Sequence, residues 1–356
     1  MGNLLTDSST FSALAKTYSN FLVPAMKIKV GTSDIASTLK VGITDVSITL
    51  DLDNASSVDF TVINVYDLKS TAFYGNVKST IKLGAVLTVE LGYGSSLTKV
   101  FQGYVANLNM EFGEIPKISV VATDVRALMG RNIREVTHKD LKKASAVVSK
   151  IMEIYSKVSK VKVTDTPEQE DPFIQNDSDL EYILKELCPK TNSEFFVLGD
   201  TAYFRKMHDP DKEITTLSPG SGLISFQCNT TYVDEVIQIY GHDEQTNKPV
   251  TAKKDAKSDT KSASALSKKP VRELKISDTI DATKAENIAA YELEQLMKSS
   301  QQGGGTCIGL PELCPGRYLK IEKLDESVNK TYYLKTVTHS FSESGFTTNF
   351  TIGGFK

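Results

Sequence analysis

Apolar and polar positions alternate along two widely separated stretches of the chain. The late one, residues 315–355, reads PGRYLKIEKL, a polar turn, then TYYLKTVTHSFSESGFTTNFTIGGF. The early one reads LGAVLTVELG, a polar turn, then KVFQGYVANLNMEFGEIPKISVVATD. Setting Gly84 on Gly316 gives an offset of 316 − 84 = 232. At that offset, without a gap, Leu87 meets Leu319, Val89 meets Ile321 and Glu90 meets Glu322. Phe101 then meets Tyr333, Val105 meets Val337, Ile118 meets Phe350 and Val120 meets Ile352. A period of two is that of half-buried strands. Two related β units separated by other material predict a scaffold that repeats one shape, not an active-site cleft.

Taken in order, residues 8–22 put Phe11, Leu14, Ala15, Tyr18 and Leu22 on one helical face, ended by Pro24. This reads as a docking arm or an N-terminal cap. From 25 to 124 six short runs rich in Val, Ile, Thr and Phe predict the strands of a small barrel or sandwich, with a hairpin tip at 93–97. Residues 139–160 predict a helix with Ala146, Val147, Ile151, Ile154, Tyr155 and Val158 as its apolar stripe. Lysines cover its other face. They read as solvated surface rather than a nucleic-acid patch, because Asp140 and Glu153 interleave and no aromatic accompanies them. Ser178 and Glu181 form a capping box, with Asp177 and Asp179 suited to the same helix end. Capping is preferred there over an acid pair or a cation site. Leu180, Ile183, Leu184 and Leu187 face inward, Pro189 limits the helix, and Phe195, Val197, Tyr203 and Phe204 lie on a hairpin about Gly199–Asp200.

Strands resume at 224–241 as the expected start of the second β unit. Residues 245–270 carry seven lysines against two aspartates and no aromatic, which predicts a long exposed loop. A helix over 283–300 has Thr283 and Glu286 as its capping box and Ile288, Ala289, Tyr291 and Leu296 as anchors, and the glycines at 303–305 are expected to stop it. The expected fold is α+β and β-rich: two related small barrels, an α/β insert between them, and a helix-plus-loop insertion in the second. The expected segments are 1–24 (arm), 25–130 (first barrel), 131–222 (α/β insert), 223–244 with 306–356 (second barrel) and 245–305 (insertion).

Composition adds little that is specific. A net charge of −3 and a pI near 5.9 give no global argument for nucleic acid. No apolar run is long enough to span a bilayer, and the N-terminus does not read as a secretory signal. Gly2 and Thr6 fit the short myristoylation pattern, which carries little weight without a eukaryotic context. Cys188, Cys228, Cys307 and Cys314 lack metal-ligand spacing and read as free thiols, although Cys307 and Cys314 could meet across a turn. His138, His208, His242 and His339 are scattered; His339, on a predicted strand, reads as a hydrogen-bonded structural histidine rather than a base for Cys307 or Cys314. No nucleophile elbow, zinc-protease, P-loop or dinucleotide motif occurs, and tryptophan is absent. Neither an enzyme nor a cofactor is expected.

Several residues together carry a family resemblance. Gln175, Ser178-Asp179, Leu180 with Ile183-Leu184, Phe195-Phe196-Val197 and Tyr203-Phe204, then Pro315-Gly316 and the Val337-Thr338-His339-Ser340-Phe341 strand, resemble the phage late control D proteins. Those proteins share the hub fold of the N-terminal part of VgrG spike proteins. The resemblance runs from about residue 27 to 355, and the lysine-rich stretch 245–270 has no counterpart in the pattern. It implies a homotrimeric baseplate hub of a contractile tail, assembled in the bacterial cytoplasm and located in the tail baseplate. Two barrels per chain would match a hexameric tube on one side and a trimeric spike on the other. The implied partners are further copies of the chain, a spike protein, an inner tube or tube-initiator protein and baseplate wedge proteins. The chain stops after the second β unit, so the needle is expected on another polypeptide. Ring interfaces are expected on the outer strands, with Leu83, Leu87, Val89, Leu91, Tyr318, Leu319, Ile321 and Leu324 as candidates. The competing readings are a VgrG-like secretion tip or host-binding module and, last, a tail-associated cell-wall hydrolase.

Overall fold

The structure, a computed structural model, describes residues 4–244, 246–257, 265 and 267–355. Gly2 of the acylation pattern and part of the lysine-rich stretch lie outside these residues. The first β unit has six strands: β1 (Pro24–Val30), β2 (Gly42–Asp51), β3 (Ser57–Ile63), β4 (Val86–Tyr93), β5 (Ser96–Glu111) and β6 (Lys117–Thr123). They lie side by side as β1-β4-β5-β6-β3-β2. Alternate residues such as Ile28, Ile48, Val58, Val89 and Val120 turn inward and are buried, as the period-two pattern requires.

After an intervening module containing β7 (Lys160–Val163), β8 (Ser193–Leu198) and β9 (Thr201–Lys206), the second unit starts at β10 (Glu213–Pro219), earlier than expected. β11 (Gly222–Thr230) follows. The chain then leaves for β12 (Asp234–Asp243), β13 (Lys248–Lys257) and β14 (Val271–Thr279), and returns as β15 (Gln301–Ile308), β16 (Tyr318–Ile321), β17 (Thr331–Ser342) and β18 (Gly345–Phe355). Neighbours run β10-β16-β17-β18-β15-β11, the same order of first, fourth, fifth, sixth, third and second strands as in the first unit. One strand differs in direction: β10 lies parallel to β16, whereas β1 is antiparallel to β4. β10 also pairs with β11 at Ser218↔Gly222 and Pro219↔Leu223, so the second unit is a closed six-stranded barrel.

The repeat is therefore one of topology, and the ungapped alignment of its hairpins is corrected by the register. The offset equates Val105 with Val337 and Ile118 with Phe350, and Val337 does face Phe350. Val105, however, faces Ala122, and Ile118 faces Met110. The β17–β18 turn is tight while β5 and β6 are joined by a longer one. At Val105 the slip is 122 − 118 = 4, which leaves the inward and outward pattern unchanged and hidden from the sequence; the register shift between Val105 and Asn107 makes it 110 − 105 = 5 at Ile118.

The two units share one hydrophobic core and are joined through β17. One edge of β17 pairs with β18. The other is divided: Thr331–Tyr333 pair with β16, and Thr336–Phe341 pair with Asp51–Val46 of β2. The N-terminal arm seals this junction. Helix α1 (Phe11–Thr17), capped by Thr10, buries Leu14 and leads into Tyr18. The Tyr18 and Phe21 rings each lie 5.2 Å from Tyr93 of β4, whose ring is 5.7 Å from Phe346 of β18. Tyr18 donates to the half-buried Glu312 carboxylate at 2.5 Å, and Arg317 donates to the carbonyls of Leu4 and Asp7. Leu22, expected on the arm's apolar face, is exposed, because Ser19, Asn20 and Phe21 adopt left-handed backbone and turn the chain out of the helix.

In the α/β module, α2 (Ala144–Met152) is shorter than expected and tightens into a 3-10 turn that leaves Ile154 exposed. Ser178 caps the next helix by accepting from the Glu181 amide, but the Glu181 carboxylate pairs with Lys185 instead of closing a capping box. Pro189 does not limit that helix. A π-helical stretch over Tyr182–Leu187 places the proline in the first turn of a new segment, where its missing N–H costs nothing, and left-handed Asn192 ends the run. Asp179 is fully buried, not an exposed cap residue. It accepts from Tyr155 Oη (2.6 Å), Gln175 Nε2 (2.8 Å), Asn132 Nδ2 (2.8 Å) and Arg134 Nη2 (2.6 Å).

The expected lysine-rich loop is corrected in part: 248–257 form β13, paired with β12 along its length. Ala252 and Ala256 face inward with Lys254 between them, Lys253 is exposed on the other face, and alanine's weak strand preference concealed the pattern. Strands β12–β14 and helix α3 (Ala282–Ser300) have a small core of their own, so β12 is not part of the second barrel as expected. Asp281, not Thr283, caps α3, and Glu286 instead pairs with Lys254 on β13 at 2.8 Å. The glycines at 303–305 lie within β15 and do not stop the helix. A Cβ at Gly303 would meet the Gln227 carbonyl at 2.2 Å, and one at Gly304 the Phe350 carbonyl at 2.2 Å.

Two predictions follow from these buried polar groups. Asp179→Ala strands the donors of four side chains and is expected to cost about 3–5 kcal/mol in urea unfolding, against about 0–1 kcal/mol for Glu181→Ala on the exposed Lys185 pair. His339 of β17 is fully buried against Thr348, and burial pulls its pKa down to about 4. The folded state thus disfavours the proton relative to an unfolded histidine near 6.5. Its contribution is complete above that value and is lost as pH falls towards 4, by about 2 kcal/mol between pH 7 and 5. Urea midpoints across that range should flatten in His339→Gln relative to the wild type.

Candidate assembly site

The eight residues proposed for ring contacts are mostly committed within the chain. Leu87, Val89, Leu91, Tyr318, Leu319 and Ile321 are buried, and Leu324 packs partly against the same core. β4 and β16 are paired on both sides, so neither strand has a backbone edge to offer. Six of these positions are taken up by the chain's own core, and Leu324 partly so. Leu83, at the turn before β4, is 64% exposed and is the single candidate displayed to solvent.

The available edges lie elsewhere. β5 pairs with β4 only as far as Tyr104↔Val86, and among the described residues no strand covers the β4-side edge of its outer part, 106–111. β11 pairs with β10 only at Gly222 and Leu223, which leaves the corresponding edge of 224–230 without a strand among the described residues. Both segments are largely solvent-exposed; Ile224 is 62% and Met110 38% exposed. Beyond the tip of β5, Phe112 packs against Tyr66 (5.1 Å) and Phe73 (6.1 Å) in an aromatic knot, beside exposed Ile115.

A buried polar junction fixes the α/β module to the second barrel. Glu194 and Arg205 face each other across the β8–β9 hairpin and form an ion pair at 2.8 Å. Tyr333 of β17 donates to Glu194 at 2.8 Å, Arg205 also donates to the Gly316 carbonyl, and its guanidinium lies 4.7 Å from the Phe196 ring centre. Next to it, Tyr318 Oη meets His208 Nδ1 at 2.8 Å, and His208 Nε2 meets Glu294 of α3 at 2.8 Å. Burial pushes the Glu294 carboxyl up, but the His208 hydrogen bond and the nearby cationic groups outweigh it and hold it below the usual range. Sequence reading missed this cluster. The available signal was an acid and a base at mirrored positions about Gly199–Asp200 in an otherwise apolar hairpin.

The linked Glu294, His208 and Tyr318 brace three elements and present no nucleophile. His339 meets Thr348, not a cysteine, and all four cysteines are free, with Cys188, Cys307 and Cys314 buried and their thiols raised by burial. Among the described residues no group of three or more His, Cys, Asp or Glu side chains could hold a metal ion, and no helix is long and apolar enough to cross a membrane.

The architecture is that of phage tail proteins. The 43 kDa tail protein of prophage MuSo2 from Shewanella oneidensis superposes with a TM-score of 0.68 at 14% identity, covering 94% of this chain and all of that one. A tail protein from Neisseria meningitidis MC58 gives 0.68 at 12%, over 93% and 96% of the two chains. The E. coli c3393 protein, a component of the type VI secretion system, gives 0.56 at 11%, over 93% and 77%. No curated protein matches by sequence. The family model that does match is named for Alg8 and not for late control D: it covers residues 21–343, and the chain belongs to the family of the Alg8 N-terminal domain.

Proposed function

We propose that this protein is the structural hub of a contractile tail baseplate, kin to the late control D proteins. It would be a homotrimer that adapts a hexameric tube to a trimeric spike. The observation that carries this reading is the repeated strand order of the two β units within one chain. Three such chains present six nearly equivalent barrels, so a three-fold object offers six-fold contacts. The fold shared with phage tail proteins and with a type VI secretion component supports the reading. The chain's work is then assembly and load-bearing rather than catalysis. Its partners are copies of itself, a spike, a tube or tube-initiator protein and wedge proteins, and its place is the tail baseplate after cytoplasmic assembly.

The test is sedimentation of lysate from the native producer, with mass spectrometry of the particle fraction. The chain is expected to pellet with sheath, tube and spike proteins at roughly three copies per particle end. Intact particles pelleting without it would remove the hub reading. Recovery with a host receptor would point to a binding module, and turnover of purified cell wall to a hydrolase.

A further inference from the structure

The joint between the two barrels is also a pattern for a joint between chains. Inside the chain, the second strand of the first unit, β2, pairs through its last six residues with the outer half of the fifth strand of the second unit, β17. The counterpart of β2 in the second unit is β11, and the counterpart of β17 in the first is β5. With inward-facing residues kept inward, 106–110 match 337–341 and 226–230 match 46–50, and both segments lie within the edges that have no strand partner among the described residues. Both fifth strands carry a register shift between their halves, at Val105/Asn107 in β5 and at Leu334/Thr336 in β17. The intrachain joint thus uses one complementary pair of edges and, among the described residues, leaves the equivalent pair open, one edge in each β unit. An uncovered edge bearing apolar side chains is a template for pairing with another chain.

We infer that β11 of one copy pairs antiparallel with the outer half of β5 of the next, repeating the β2–β17 joint between chains. This rests on the hub reading, which sets the number of copies at three. Copying the intrachain register matches chemistry as well as geometry. Met110 falls opposite Phe226 and Leu108 opposite Cys228, as Phe341 stands opposite Val46 within the chain. Asn109 falls opposite Gln227 on the polar face, as Thr338 stands opposite Thr49 at 3.4 Å between hydroxyls. Such an interface is head-to-tail, so each chain uses both edges once and a ring closes with none left over.

Cys228 supplies the test, because it is partly exposed while the other three thiols are buried. Purified full-length Leu108→Cys and the particle pellet containing it are oxidised and run without reductant. Products at two and three times the chain mass are expected, and they should vanish when Cys228→Ser is added. Met110→Glu, at a side chain 38% exposed in the single chain, should leave the far-ultraviolet circular dichroism spectrum unchanged and weaken self-association at least tenfold. If the chain is trimeric and pellets with particles, yet Leu108→Cys gives no Cys228-dependent product and Met110→Glu stays trimeric, the edges are not the interface while the hub reading survives. A ladder running past three copies would overturn the closed ring. A chain that neither self-associates nor pellets with particles would remove both readings.

Discussion

The structure depends on one divided strand edge. Each residue of a strand offers its backbone donor and acceptor to a fixed side, so a strand wholly engaged by its own barrel has nothing for a second. β17 escapes this by shifting register between Tyr332 and Thr336, which releases its outer half from β16 and gives it to β2. Without that division the two units would be separate domains on a linker. With it they share a continuous core, and their relative orientation is set by backbone pairing rather than by side-chain contact alone.

The other modules brace that joint from several sides. The N-terminal arm packs aromatic rings across it, with Tyr18 on half-buried Glu312 and Tyr93 donating to the Gly309 carbonyl at 2.9 Å. The α/β module presses the Glu194–Arg205 pair against Tyr333, on the same strand. Helix α3 reaches the cluster through Glu294 and Lys298, whose ammonium lies 5.6 Å from the Tyr333 ring centre. These contacts are polar and buried, so their value lies in specifying one arrangement. An isolated buried ion pair is a poor source of net stability.

Much of this was legible in the sequence. All six strands of the first unit, the hairpin about Gly199–Asp200 and helix α3 follow from period and turn chemistry. The repeat was visible because buried positions of equivalent strands keep the same parity. What stayed hidden has physical reasons. β10 lacks a counterpart in the ungapped repeat and runs in the reversed direction. β13 builds its inner face from alanines, so composition spoke for a loop. Asp179 looked like a cap because local spacing cannot show that Tyr155, Asn132 and Arg134, 24 to 47 residues away, join nearby Gln175 on it. Most of the ring candidates lie in the chain's own core because alternation marks what is buried.

The division of β17 also sets a timetable for synthesis. β2 leaves the ribosome early, but the residues that cover its outer edge lie 336 − 51 = 285 positions later. At about 5–20 residues per second that edge waits roughly 10–60 s for its partner. The arm waits as long, since Arg317 is what holds the carbonyls of Leu4 and Asp7. The first β unit is therefore made before the strand that covers this edge. Until the second unit arrives, that edge is a template for any other strand.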